Sequence, residues 1–181
     1  MNHYTATAKA LHWLMALLLI GLVALGVYMH ELPLSPRKLQ LYSWHKWAGV
    51  TVFLLVALRL AWRLGHRPPA LPGTMPPLLR RVASATHGLL YLLMFAIPLS
   101  GCLMSSAKGF QTAYFGVLPL PALLAKDAAL GDALQQLHFG LNLLFAVLVI
   151  GHAGAALKHH FIDRDDILAR MLPRRTQEKK S

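Results

Sequence analysis

A single cysteine, Cys102, stands in 181 residues. One thiol excludes a disulfide framework, a C-x-x-C-H attachment for covalent haem and a thiolate zinc site, so any cofactor is held by something other than sulfur. Acidic side chains are scarce too: seven Asp and Glu stand against eighteen Lys and Arg, and charged residues make up only 14% of the chain. That is too little polar surface for an ordinary soluble domain of this length. No internal repeat and no low-complexity tract is present, and little sequence is left over for a separate soluble domain.

What the chain does have is apolar length. Hydrophobic residues make up 56% and the mean hydropathy is +0.48. Four stretches are long enough to cross a bilayer, at about residues 10–29, 44–64, 84–104 and 137–161. The pattern predicts an all-α fold: one integral membrane four-helix bundle spanning residues 1–181 as a single domain. The first stretch follows Lys9 as a signal peptide would, but its apolar run is long, and we read it as a retained helix.

The excess of basic residues suggests nucleic acid until they are placed along the chain. Lys9, Arg59, Arg63, Arg67, Arg80, Arg81, Lys158, Arg164, Arg170, Arg174, Arg175, Lys179 and Lys180 fall on one side of the four spans. Only Arg37, Lys38, Lys46, Lys108 and Lys126 fall on the other. The positive-inside rule puts both termini in the cytoplasm, and the charge reads as topology, with the basic tail solvated or touching anionic headgroups. Membrane lipid is the expected partner and nucleic acid is not.

Between spans two and three, GHRPPALPGTMPP cannot continue a helix and reads as a short extended cytoplasmic connection. The outer connection from about Ser105 to Gln136 is long, and its FGVLPLPALL segment is apolar enough to rest on the membrane surface as a lid. Pro98 in span three predicts a kink. Trp13, Trp44, Trp47 and Trp62 lie near span ends, where tryptophan anchors at the interface.

Ten histidines are many for such a chain. His3, His30 and His66 lie at or beyond span ends and read as solvated; His159 and His160 read as interfacial. His12, His45, His138 and His152 fall inside spans or in their first turns, where an unpaired polar group is expensive. His138 and His152 are fourteen residues apart, which on a helix puts them on nearly one face, about 21 Å apart along the axis. The alternating span directions place His12 and His152 near the cytoplasmic face, and His45 and His138 near the outer face. Two matched pairs of neutral imidazoles are what axially ligated metals need, and the cofactor most easily buried among apolar side chains is haem b. Arg59, fourteen residues after His45, falls at the depth of the cytoplasmic pair, where a propionate would take a guanidinium. Gly26, fourteen after His12, falls at the depth of the outer pair, and Gly49, Gly140, Gly151 and Gly154 add small residues near the ligands. His87 has no partner at the required depth that is not already used and is open to bonding a propionate, a quinone oxygen or a backbone carbonyl. Two other readings of the histidines stand: hydrogen bonding between helices that glycines bring close, and a non-redox zinc or copper transporter, against which the wide separation and the few carboxylates argue.

The motifs LHW at His12, WHKWAG at His45, QQLHFG and GHAGAALKHHF along span four, and the closing MLPRR resemble the bacterial di-haem cytochrome b561 family. They are also similar to the cytochrome b subunits of membrane-bound formate dehydrogenases and nickel-iron hydrogenases. The resemblance implies four helices in the bacterial inner membrane, two bis-histidine haems b, and electron exchange with the quinone pool. It assigns His45 and His138 to the outer haem iron and His12 and His152 to the cytoplasmic one. The animal and plant cytochromes of the same name, with more helices, match less well.

Bis-histidine ligation favours outer-sphere electron transfer. Two donors are open. One is superoxide, which the resemblance makes a possible donor and which the outer basic residues could draw toward the outer haem, with Lys46 as the donor-side candidate and ubiquinone as acceptor; the chain would then be a superoxide:ubiquinone oxidoreductase. The other is a docked dehydrogenase or hydrogenase that the chain serves as a carrier subunit.

Overall fold

The structure, a computed structural model, describes residues 3–73 and 75–172. Arg174, Arg175, Lys179, Lys180 and the last three residues of MLPRR lie outside the described residues. Four long helices run in chain order: α1 (Ala6–Glu31), α2 (Pro36–Gly65), α3 (Pro77–Ala107) and α4 (Ala128–Phe161). All four are long and apolar enough to span a membrane. Each predicted span lies inside one of them, and each helix extends beyond its apolar core because its ends are capped outside the hydrocarbon. The Thr5 hydroxyl accepts from the Ala8 amide at 3.2 Å, the Ser35 hydroxyl from Lys38 at 3.3 Å, and the Asp127 carboxylate from Leu130 at 3.0 Å, as N-cap side chains do. Pro36 and Pro77 start their helices where a missing N–H costs nothing. Helix α3 continues unbroken across Pro98.

The outer connection differs from the expected long loop. Helices α3 and α4 take its two ends, and the remaining residues 108–127 fold rather than hang free. Strands β1 (Ala113–Tyr114) and β2 (Leu118–Pro119) pair antiparallel around a turn in which Phe115 and Gly116 both have positive φ, 51° and 74°. That conformation matches the twist of a hairpin but strains a phenylalanine. Contacts of the Phe115 ring with Trp47 at 5.4 Å and Tyr114 at 4.5 Å compensate. The Trp47 indole donates to the Ala113 carbonyl at 2.6 Å, and Thr51 bonds the Tyr114 hydroxyl at 2.9 Å, so the hairpin is fastened to α2.

A short helix α5 (Ile167–Met171), which the sequence pattern did not announce, folds back beneath α1. Lys9 donates to the Leu172 carbonyl at 2.9 Å, Trp13 to the Met171 carbonyl at 3.0 Å, and Arg170 to the Ala70 carbonyl at 2.7 Å. The first two bonds satisfy carbonyls at the end of α5 that no intrahelical donor reaches, and the third ties α5 to the connection between α2 and α3.

Met15, Val52, Val56, Leu93 and Phe145 form the core near mid-bundle, all nearly sealed. The outward faces carry large exposed apolar side chains such as Leu17, Ile20, Val147 and Ile150. Water would not tolerate apolar patches of that extent, and lipid does. Helix α1 packs on α2, α2 on α3, and α3 most extensively on α4, whereas the α1/α4 and α2/α4 pairings are looser. Those two looser seams are where the histidines meet.

Candidate functional site

At the end of the bundle where α1 starts and α4 finishes, His12 of α1 and His152 of α4 face each other with ring centroids 6.3 Å apart and planes at 70°. At the other end, His45 of α2 and His138 of α4 stand 6.5 Å apart at 77°. Two imidazoles bound to one metal through bonds of about 2 Å have centroids about 6 Å apart once half a ring is added on each side. Both pairs fit that spacing, and all four rings are half-buried. The sequence argument paired the histidines the same way from depth alone.

His87 of α3 completes a cluster at the first pair. Its ring meets the edge of His152 at 5.2 Å, closer than two imidazoles on opposite sides of one metal would stand. Arg59 Nη1 lies 3.1 Å from His12 Nδ1. A guanidinium only donates, so this contact needs the lone pair of His12 on Nδ1 and its proton on Nε2; a ring that ligates a metal through Nε2 would instead carry the proton on Nδ1 and release Arg59. Arg59 and Arg63 both stack on the Tyr91 ring, at 5.8 Å and 5.6 Å. Among the described residues neither guanidinium has a carboxylate partner. Two unpaired forks beside an imidazole pair could hold the carboxylates of a cofactor.

The second pair sits in a tighter setting. A cavity lies between the two rings, lined by Leu19, Gly49, Pro98 and Asn142 among others. His45 Nδ1 is buried with no hydrogen-bond partner. A Cβ on Gly26 would stand 3.4 Å from the His45 ring, and one on Gly101 would stand 3.2 Å from that of His138. Gly26 is therefore small where a histidine needs room, at the depth its spacing predicts. Gly140, Gly151 and Gly154 have nothing within 4 Å of a Cβ position and face open space instead of a packed ring. Lys46, beside His45, lies over the Phe110 ring at 6.0 Å. Lys108 is paired with Asp132 at 3.1 Å, and Lys38 is turned onto the carbonyls of His30 and Leu32 that end α1. Of the five basic residues on this side, two are thus occupied by structural bonds, whereas Arg37, Lys46 and Lys126 have no carboxylate partner among the described residues.

A profile of the family described as prokaryotic cytochrome b561 matches residues 3–174. The chain belongs to that family. Cytochrome b561 homolog 2 of Escherichia coli (strain K12) is 38% identical over 181 residues, covering 94% of this chain and 92% of that protein. Cytochrome b561 homolog 1 of the same organism is 28% identical over 176 residues, covering 97% and 99%. A Yersinia pestis protein named probable superoxide oxidase CybB is 28% identical over 177 residues, covering 95% and 97%. Membership makes this a haem b protein of membrane electron transfer, passing several times through the bacterial inner membrane. The transporter reading of the histidines falls with it. The residues fit the family's cofactor in three respects: imidazole spacing, a buried histidine nitrogen without a partner, and glycines where the rings are most crowded.

Sequence reasoning missed several neighbours. Ser100, Gly101 and the Ile97 carbonyl surround His138, and the signal was the small-residue step LSG inside an otherwise bulky span. Arg63 and Tyr91 join Arg59, and only the i, i+4 spacing of the two arginines hinted at a shared face. His159, read as interfacial, bonds Asp165 at 2.6 Å and Asp163 at 3.2 Å. It fastens the turn that leads into α5, while His160 is exposed. His3, His30 and His66 are exposed as expected. The tryptophans do more than anchor: Trp13 and Trp47 tie down α5 and the hairpin, and Trp62 donates to Thr5 at 3.0 Å.

Proposed function

We propose that this chain, folded as one domain, moves electrons from a donor at the outer face to the quinone pool, using two haems b. His45 and His138 ligate the iron at the outer end; His12 and His152 ligate the one at the cytoplasmic end. Arg59 pairs with a propionate of the cytoplasmic group. The observation that carries this reading is the recurrence of one imidazole spacing, 6.3 Å and 6.5 Å, at both ends of the bundle. The positive-inside rule orients it, with both termini cytoplasmic.

The haems supply one-electron redox chemistry. Each imidazole pair would hold its iron with no position left open, so donor and acceptor would react from outside the iron's coordination sphere. Superoxide is the donor we favour and ubiquinone the acceptor. Each superoxide gives up one electron and leaves as oxygen; two such electrons and two protons convert the quinone to the quinol. Arg37, Lys46 and Lys126, without a carboxylate partner among the described residues, are the cations on the outer side that would attract the anion. The name of the Yersinia relative supports this donor.

The test is stopped-flow spectroscopy of the purified protein with superoxide from xanthine oxidase. Superoxide should reduce the haems rapidly and ubiquinone should reoxidise them. Reduction no faster than that of an unrelated bis-histidine cytochrome would remove superoxide as donor and leave the carrier-subunit reading, in which a docked redox partner protein supplies the electrons.

A further inference from the structure

The turn of α3 from Ile97 to Gly101 meets His138 through three atoms. His138 Nδ1 lies 3.1 Å from the Ile97 carbonyl oxygen and 3.0 Å from the Ser100 hydroxyl oxygen. The Ser100 hydroxyl donates to the same Ile97 carbonyl at 2.8 Å. Ser100 is nearly sealed from solvent. A carbonyl can only accept, and the single hydroxyl proton of Ser100 is already directed at it. His138 Nδ1 must therefore carry a proton and donate to both oxygens. The neutral ring then has its lone pair on Nε2 alone. Gly101 closes the arrangement from the side: a Cβ there would stand 3.2 Å from His138 Cε1, tight enough to push the ring.

We infer that Ser100 is a positioning residue: with the Ile97 carbonyl it fixes the Nδ1–H tautomer of His138, presents Nε2 to the metal, and lowers the reduction potential of the outer haem. This rests on the reading of His45 and His138 as a ligand pair. A ligating imidazole that donates its other N–H becomes a stronger electron donor to the metal, which favours the ferric state. At the other end a guanidinium, that of Arg59, stands at His12 Nδ1 in place of a carbonyl and a hydroxyl. The two centres differ in the hydrogen bonding of their ligands as well as in depth.

The experiment compares wild type, Ser100→Ala, Ser100→Thr and Gly101→Ala by haem content, potentiometric titration and low-temperature electron paramagnetic resonance. In Ser100→Ala both haems are retained and the potential of the outer centre rises. The rise stays within roughly a tenfold change in the ferric-to-ferrous affinity ratio, about 59 mV for one electron. Ser100→Thr restores the wild-type value, and the cytoplasmic centre stays put in every variant, which also reports that the bundle is folded. Gly101→Ala changes the ferric resonance of the outer centre only. An unchanged outer potential in Ser100→Ala, equal movement of both centres, or failure of threonine to restore the value would overturn the assignment. A wild-type chain with no second haem would overturn the ligand reading beneath it.

Discussion

His12 and His152 approach to 6.3 Å between helices that otherwise pack only loosely, and the same holds for His45 and His138 at 6.5 Å. In a bundle held by close apolar contact, each pair occupies a gap that side-chain packing has left open. His12 and His138 each have a hydrogen-bond partner within the protein, whereas His45 Nδ1 is buried without one among the described residues, and an unpartnered polar ring is costly in lipid.

The pairs therefore predict a pattern of loss. Two haems b per chain should be released by acid-acetone and counted as pyridine haemochrome. His12→Ala and His152→Ala should each remove one centre, and His45→Ala and His138→Ala the other, as redox titration resolves them. Loss of one shared signal in His12→Ala and His138→Ala would break the pairing.

The pairing was legible in the sequence because depth along a helix follows from counting at 1.5 Å per residue, and four apolar runs fix four helices. Gly26 was legible for the same reason. The surroundings of His138 were not, because Ser100 and Gly101 lie on a different helix whose rotation about its axis no count of residues determines. Helix α5 escaped for another reason: it is too short to show a period and is held by side chains distant in sequence, Lys9, Trp13 and Arg170 onto backbone carbonyls. The hairpin at Phe115 was hidden because a phenylalanine with positive φ runs against local preference, and only its contacts with Trp47 and Tyr114 make it tolerable.

The room left by Gly26 gives a graded test. The position of a Cβ there, 3.4 Å from His45 Cε1, is ordinary contact. Gly26→Ala should therefore keep both haems. The branched side chain of Gly26→Val must displace the ring, and overpacking of this kind costs about 1–3 kcal/mol. Outer-haem content should fall in that variant with the cytoplasmic haem intact; equal loss of both would mean general unfolding.

Arg59 should act on the opposite centre. It stands at His12 and has no carboxylate to neutralise it among the described residues. In the proposed site its charge would oppose the extra positive charge of ferric haem and hold the cytoplasmic potential up. Arg59→Gln should lower that potential and weaken retention of the haem by about tenfold, as loss of an outer-shell partner does. Titration and haem content check both, and an unchanged cytoplasmic potential would remove Arg59 from the site.

Acid should release α5. The Asp166 carboxyl is held below its usual range, first by its hydrogen bond with Arg170, at 2.7 Å. A depressed folded value means that the stabilisation is present above about pH 4, the ordinary carboxylate value, and is lost as pH falls through the folded value. With Trp44, Trp47 and Trp62 replaced by phenylalanine, the emission of Trp13 reports its bond to Met171. It should shift in acid in the parent chain, and the step should shrink in Asp166→Asn, which retains Asp163 and Asp165. An identical acid profile in the two chains would show that the ion pair does not hold the helix.

Lys46 separates attraction of the donor from the chemistry at the outer pair. It follows the proposed ligand His45 directly, lies over Phe110 at 6.0 Å and has no carboxylate partner among the described residues. An unpaired cation beside an electron-accepting centre speeds the arrival of an anion without altering the centre itself. Lys46→Gln removes the charge while keeping most of the side chain's length. The superoxide reduction rate should drop by about threefold to tenfold, a modest share of what a whole charged surface contributes, with both haem spectra and both potentials little changed. Raising the ionic strength should slow the wild-type reaction by screening the field, and slow the variant less. Reduction by a neutral donor of similar potential should be the same in both proteins. Equal superoxide rates in wild type and Lys46→Gln at low salt would show that the anion reaches the centre by a route Lys46 does not influence.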